Sequence, residues 1–399
     1  MGALPWSVAW QQALYDAELG FYVTRGGPAA HFTTASHGST GPVLAEALLR
    51  LWHRYVPDRA PSVVVDIGAG RGELTSRLAR LALPAAPAVG PRPAGRAQPP
   101  GERTVGNLRR DQTGDRRRDP RRDLTGDMTG NRRRDLADDT AHDLTGDMTG
   151  DMTGDTRRDT RVVGVDVVDR PAGLDARVEW LRSPGGAALP TALHDLQDAL
   201  VIANEWLDVV PCTVAEVADD GTLCEVLVDP STGDEELGPK LTDPDAAWAA
   251  SHWPTRTPGE RVEVGRTRDL AWAGLVSRVA SGLLVAVDYG HLASERPSGG
   301  TLAAYRAGHL TRPVPDGTCD LTAHVAVDSL AADEVHRQRD LLVSLGLDAR
   351  PPDHTRARTD PAGYLRDLER RSAQARLIDP SGYGGFWWVL QRKEGADVP

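Results

Sequence analysis

Apolar runs recur along the chain, and several of them are closed by an acid or a glycine. Val63-Val64-Val65-Asp66-Ile67, Val162-Val163-Gly164-Val165-Asp166, Ala199 to Ala203 and Leu283 to Asp288 have the length and branched content of buried strands. Between them the period changes to that of a helix. Leu44, Leu48, Leu51, Trp52 and Tyr55 fall on one face of a segment from Pro42 to Tyr55, with the proline suited to its first turn. Leu74, Leu78 and Leu81 mark a second helix after Gly72. Further helices are predicted over 8–22 (ending near Gly20), Arg266–Ser281, 334–346 and 361–376, with a last strand over 386–393. Arg177 to Leu181 reads as a short edge or third strand. Alternation on both sides of Asp219-Asp220-Gly221 predicts an antiparallel hairpin from Cys212 to Asp229. Residues 230–262 read as loop-rich, with Trp248 and Trp253 on a short helix. Strands alternating with helices predict an α/β fold, a mainly parallel sheet with helices on both faces.

Residues 84–160 break the pattern. A Pro/Ala/Gly-rich start gives way to a near-repeat, Asp-Leu-Thr-Gly-Asp-Met-Thr-Gly at 123–130 and again at 143–150. From 101 to 161 there are 14 arginines against 14 acids and almost no apolar residues. Such a polyampholyte cannot bury enough surface to offset chain entropy, so a long disordered insertion is expected. The Gly-Asp repeats lack a calcium-binding nonapeptide pattern. The arginine triplets at 116–118 and 132–134 are interleaved with aspartates, which argues against RNA. Excising the block has a structural consequence. Gly72 and Asp166 are 94 residues apart, and about 17 of these remain after excision. A nucleotide-type fold places an acid at the end of its second strand about 20 residues past its glycine turn. Asp166 meets that requirement if the block is a loop between the first helix and the second strand.

Composition narrows the function classes. A net charge of −11 argues against general nucleic-acid binding. Lys240 and Lys393 are the only lysines, a bias of composition rather than of function. Cys212, Cys224 and Cys319 are scattered, suggesting neither a disulfide framework nor a zinc site, and no metal is expected. The first residues lack the basic and apolar regions of a signal peptide, and no run approaches 18 apolar residues. A cytoplasmic protein is expected, and the sequence leaves a homodimer open.

The segment from Asp66 to Gly72 carries the chemistry. Glycines at 68, 70 and 72 follow a strand and precede a helix, which lets the backbone turn tightly and a ligand approach it closely. The third glycine comes one residue earlier than in the dinucleotide fingerprint. The spelling Asp66-x-Gly68-x-Gly70-x-Gly72 resembles motif I of the class I S-adenosyl-L-methionine (SAM) methyltransferases. Later segments narrow the resemblance. Asn204-Glu-Trp-Leu-Asp-Val-Val-Pro211, Asp288-Tyr-Gly290, Gly300-Thr-Leu with Tyr305, and Asp320-Leu-Thr-Ala-His324-Val are similar to successive signatures of the MidA-like methyltransferases. The opening, Leu14 to Tyr22 and Phe32-Thr-Thr34, resembles the N-terminus of that family, which includes the arginine methyltransferase of mitochondrial complex I assembly. Two departures stand out: Ser36-His37-Gly38 replace the proline and acid usual after Phe-Thr-Thr-Ala, and the insertion is foreign to the family.

The resemblance implies a Rossmann-like SAM methyltransferase sheet over 61–83 and 161–399. Substrate-side elements would be inserted at about 211–262 and 291–335, after an N-terminal helical or lid region over 1–60. SAM is the implied cofactor and a protein arginine the implied methyl acceptor. Amides of the turn and the helix start suit the cofactor carboxylate. Asp66 could orient its ammonium, directly or through water, and Asp166 could accept both ribose hydroxyls. Thr34 and Asn204 join the expected cofactor-binding set. Glu205 and Asp208, on one side if their segment is helical, could grip a guanidinium and concentrate its charge on one nitrogen. His324 could take the released proton, a hydrogen-bonded structural histidine being the alternative. Another assignment gives Asn204 or Glu205 to the cofactor and leaves Asp288 or Asp320 to the acceptor. Asp288, Tyr289, Tyr305 and Asp320 make up the expected substrate side, although Tyr305 also suits a core position. The rivals are an NAD-dependent oxidoreductase on a similar sheet and a SAM-binding scaffold without catalysis.

Overall fold

The computed structural model describes residues 2–24, 34–83 and 160–395. Seven strands form the main sheet: β1 (Val63–Ile67), β2 (Arg161–Asp166), β3 (Val178–Arg182), β4 (Ala199–Asn204), β5 (Gly282–Asp288), β6 (Glu334–Arg337) and β7 (Trp387–Lys393). Their spatial order is β6-β7-β5-β4-β1-β2-β3. The five from β5 to β3 run parallel, and β7 runs antiparallel to both β5 and β6. Apolar runs without alternation form the central strands because helices cover both faces. Val64, Leu200, Ile202 and Val285 point to one side, where they pack with α2 (Thr40–Tyr55), α3 (Glu73–Ala82), α5 (Gln338–Ser344) and α6 (Pro361–Ile378). Val63, Val65, Val201 and Leu284 point to the other, against Ala271, Trp272 and Leu275 of α4 (Arg266–Val276). The result is a mixed α/β fold.

A second, antiparallel sheet joins Leu4–Pro5, Leu223–Val228, Thr213–Val217 and Arg261–Val264 in that order, with Glu235–Lys240 paired to Leu223–Val228. The expected hairpin is its centre. Trp6, Trp10 and Leu14 of α1 (Trp6–Tyr15) bury themselves against Val214, Val226 and Val228. A smaller sheet of Ala303–Arg306, His309–Thr311 and Asp320–Thr322 lies beyond β5 in the chain.

Several element boundaries differ from the expectation. The helix over 8–22 is two pieces: Asp16 turns the chain by accepting the Glu18 and Leu19 amides, and a short helix resumes at Phe21. The helix of Pro42 starts earlier, at Thr40. Leu81 is 48% exposed, so Leu74, Leu78 and Ala79 anchor α3. The helix from Arg266 stops at Val276 rather than Ser281. Glu334–Arg337 is edge strand β6, not the start of a helix, because its backbone groups pair with β7. Residues 230–262 hold strands Glu235–Lys240 and Arg261–Val264 and the helix Asp243–His252, with Trp253 just past its end. The proposed insertion lies outside the described residues up to 159. Thr160, placed inside it by sequence, is instead buried, with its hydroxyl donating to the Pro61 carbonyl at 2.9 Å. The block therefore falls between α3 and β2. No helix among the described residues is long and apolar enough to cross a membrane.

Candidate functional site

The bend between β1 and α3 sets the floor of the site. Gly68, Gly70 and Gly72 have φ of +71°, +59° and +77°, a left-handed region that disfavours side chains. Asp66, buried in β1, accepts the Thr75 hydroxyl at 2.6 Å. Burial lifts its carboxyl to about 7 against the pull of that hydrogen bond, with Asp166 nearby adding to the rise. Pairing of β1 with β2 brings Asp166 to the bend. The Gly70 N–H donates to Asp166 Oδ2 at 2.7 Å, and the Val168 N–H donates to Oδ1 at 3.2 Å. Burial raises Asp166 to about 6, opposed by these backbone donors.

The three glycines do different work. A Cβ on Gly70 would meet nothing nearer than the Glu73 carboxylate at 4.0 Å, so it would stand in open cavity. A Cβ on Gly72 would press on Leu174 at 2.9 Å. Gly72, expected to contact a cofactor, caps α3 and does not line the cavity.

Beside the bend, β4 ends at Asn204, and Glu205 takes a left-handed φ of +53°. The following residues form an irregular turn rather than a helix, so Glu205 and Asp208 do not share a helical face. Glu205 Oε1 accepts the Ala35 N–H at 3.2 Å and the Asn204 amide at 3.1 Å. Burial lifts Glu205 to about 7, and the charge of Asp208 pushes the same way. Asp208 Oδ2 accepts hydroxyls from Thr322, at 2.7 Å, and from Tyr289. Asp320 accepts the Tyr22 hydroxyl at 2.6 Å, and burial raises it to about 8. The His324 ring stands edge-on to Tyr289, 5.5 Å between centroids, and burial lowers its pKa.

These groups share one cavity of about 820 Å³, inside the usual range for a ligand and large enough for a cofactor with part of a second molecule. Thr34, Asp66, Gly68, Gly70, Asp166, Asn204, Glu205, Asp208, Tyr289, Tyr305, Asp320 and His324 all line it. Asp288 does not. Expected on the substrate side, it is buried behind the wall, where Oδ2 accepts the Leu207 N–H at 2.9 Å and the Asp208 N–H at 3.3 Å. Sequence reasoning missed Thr322, whose side chain alternates with Leu321 along a strand too short to show a period. Tyr15 and Tyr22, packed in the core beneath the second sheet, line the cavity as well. His37, where the loop departs from the family pattern, lines it too and lies 3.4 Å from Glu73.

The residues present suit SAM. Among the described residues, Asn204 Oδ1 and Asp208 Oδ1 are buried acceptors without a hydrogen-bond partner, as a ligand with ammonium and hydroxyl donors requires. Open space at Gly70 lets a ligand reach the backbone, and Asp166 offers carboxylate lone pairs beside it.

Comparison with solved structures returns a superfamily member from Burkholderia thailandensis bound to S-adenosyl-homocysteine. It is 20% identical, with a TM-score of 0.62, covering 99% of this chain and 89% of that one. A native structure of an uncharacterized superfamily protein from the same organism gives 19% identity and a TM-score of 0.61 over the same shares. At these identities the likeness establishes the fold. A search of curated proteins finds no match. A family model described as "Putative S-adenosyl-L-methionine-dependent methyltransferase" matches residues 134–343, more than half of the chain. The chain thus belongs to this family of SAM-dependent methyltransferases, whose cofactor is S-adenosyl-L-methionine.

Proposed function

We propose that the protein methylates an arginine side chain of a protein substrate, using SAM, as a MidA-like enzyme on a Rossmann-like sheet. One observation carries this reading. A glycine bend with an acid beside it opens into the same cavity as the buried carboxyls of Glu205, Asp208 and Asp320. The strand order supports the Rossmann-like part: the chain steps outward from β1 through β2 to β3, then restarts at β4 on the other side. Ligands of open α/β sheets sit at the carboxyl ends of strands where the order reverses, here between Gly68 and Asn204.

Bound SAM supplies an electrophilic methyl group on a sulfonium. The chain's own residues bind, orient and handle the proton. Asp166 is assigned to the ribose hydroxyls, and the amides of the bend and of α3 to the carboxylate. Asn204 and Asp66 face the ammonium, and Thr34 covers the same end. Glu205, Asp208 and Asp320 hold the acceptor guanidinium, whose planar fork of donors matches more than one carboxylate. Tyr22 and Tyr289, lifted well above 10 by burial, stay neutral and act as donors that orient Asp320 and Asp208. His324, its pKa lowered by burial, is neutral at pH 7 and free to take the proton that leaves the guanidinium. The cytoplasm is the expected compartment. Within the N-terminal helical or lid region over 1–60, the stretch from Thr34 to His37, which lines the cavity, is assigned to cover it, α1 and α2 being parts of the core.

Calorimetric titration with SAM, S-adenosyl-homocysteine and NAD tests the cofactor: heat with the first two and none with NAD is expected, and silence with SAM would reject the enzyme. Mass spectrometry of methylated arginines in a deletion strain tests the acceptor. Loss of methylation at a protein arginine is the expected result. An unchanged methylarginine profile with intact SAM binding would favour a non-catalytic scaffold.

A further inference from the structure

The turn over 205–211 carries Glu205 and Asp208 into the cavity, yet it has no helix or ladder of its own. Two buried polar side chains hold it from outside. On one side Asp288, at the end of β5, accepts the amides of Leu207 and Asp208. On the other is Arg268, in the first turn of α4 and only 1% exposed. Its Nη2 donates to the Asp208 carbonyl at 2.8 Å and its Nε to the Val210 carbonyl at 3.1 Å. Its Nη1 reaches the Ala323 and His324 carbonyls at 3.1 and 2.8 Å. Its guanidinium carbon lies 5.6 Å from the centroid of the Trp10 ring.

A buried guanidinium gives up its hydration at a cost, and a methionine would fill similar space without that loss. Arginine brings what methionine lacks, a rigid fork of donors able to serve carbonyls from two segments at once. The second segment, Asp320 to His324, brings Asp320, Thr322 and His324 to the same cavity. The Ala323 N–H donates to the Asp208 carbonyl at 3.2 Å, so the two segments also meet directly.

We propose that Arg268 and Asp288 are positioning residues that clamp the 205–211 turn from its two polar sides. The guanidinium grips carbonyls and the carboxyl grips amides, and Arg268 also ties the turn to the 323–324 backbone. Asp208, Thr322 and His324 thereby keep a fixed spacing across the acceptor side of the cavity. The functional meaning of this clamp rests on the methyl-transfer reading above; the clamp itself does not.

Hydrogen exchange, read by segment in the full-length protein, separates the two. In Arg268→Met, amides of 205–211 and 321–325 should exchange at least about 30-fold faster, while β1 and β2 keep their protection. Arg268→Lys keeps the charge but not the fork, and should recover one of the two segments at most. Asp288→Asn keeps an acceptor for both amides and should resemble the parent, whereas Asp288→Ala should free the turn alone. The second measurement is incorporation of radiolabelled methyl from SAM into protein of a strain lacking this chain. It should fall about 100-fold in Arg268→Met, as expected for displaced reacting groups, with SAM affinity kept within about fivefold. A uniform rise of exchange over every strand, or an unchanged turn, would overturn the clamp. A parent protein that neither binds SAM nor incorporates methyl would reject the methyltransferase reading, leaving the exchange pattern to decide the clamp.

Discussion

Gly70 shows how one residue divides the work of packing from that of binding. At φ +59° with open cavity where its Cβ would be, it leaves room for a ligand to approach, whereas Gly72 packs against Leu174. Gly70→Val should therefore reduce SAM affinity at least about 100-fold, because the branched side chain fills the cradle as well as straining a left-handed backbone. Calorimetry on the folded variant checks this, and unchanged affinity would remove the bend from the site. Gly72→Val should act mainly through the packing of Leu174. The bend was legible in sequence because its grammar is local: strand, acid, alternate glycines, helix. Asp288 was not. It looked like Asp166, an acid closing an apolar strand, but its partners are amides 81 and 80 positions away. Nothing near Asp288 in the sequence records that bond. Glu205 and Asp208 both line the cavity, but they share no helical face, because Glu205 adopts a left-handed φ that ends the regular backbone.

Among the elements, the link from α3 to β2 gives the strongest test of what the sequence can organise. β1 and β2 pair in parallel from Val63 opposite Arg161 to Ile67 opposite Val165, although residues 84–159 separate α3 from β2 in the chain. The parallel pairing and the Asp166 contact are made by described residues on either side of the block. Longer loops add only slowly to closure entropy, so shortening one changes stability little. Replacing 84–159 by a short Gly/Ser linker should keep SAM affinity within about threefold and the melting temperature within about 3 °C. A collapse of either, seen by calorimetry and thermal unfolding, would assign the block a structural role. Central strands were readable because both faces are buried and the sequence is apolar throughout. The edges were not: Glu334-Val-His-Arg337 is half-buried and is a strand only because β7 supplies its ladder. The exposed strand Glu235–Lys240 hides for the same reason.

Over the whole molecule, the buried acids make stability and ligand binding respond to pH in opposite directions. Burial lifts Asp66 and Glu205 to about 7, Asp320 to about 8 and Asp166 to about 6, all above the ordinary carboxyl range. Each binds its proton more tightly in the folded chain than in the unfolded one. Its stabilising contribution is complete below about pH 4 and is lost as pH rises through the folded value. His291 works the other way, since burial lowers it to about 4, but its effect is confined to pH below about 6.5. Between pH 6.5 and 8.5 the carboxyls dominate. The melting temperature of the ligand-free protein should fall across that window by on the order of 5 °C, a few kcal/mol in all. A cationic cofactor favours the ionised carboxyls, so SAM affinity should rise over the same window, with protons released on binding. Calorimetry in buffers of different ionisation enthalpy counts those protons directly. Binding that takes protons up, or a ligand-free melting temperature that climbs from pH 6.5 to 8.5, would mean that these carboxyls do not face the cation.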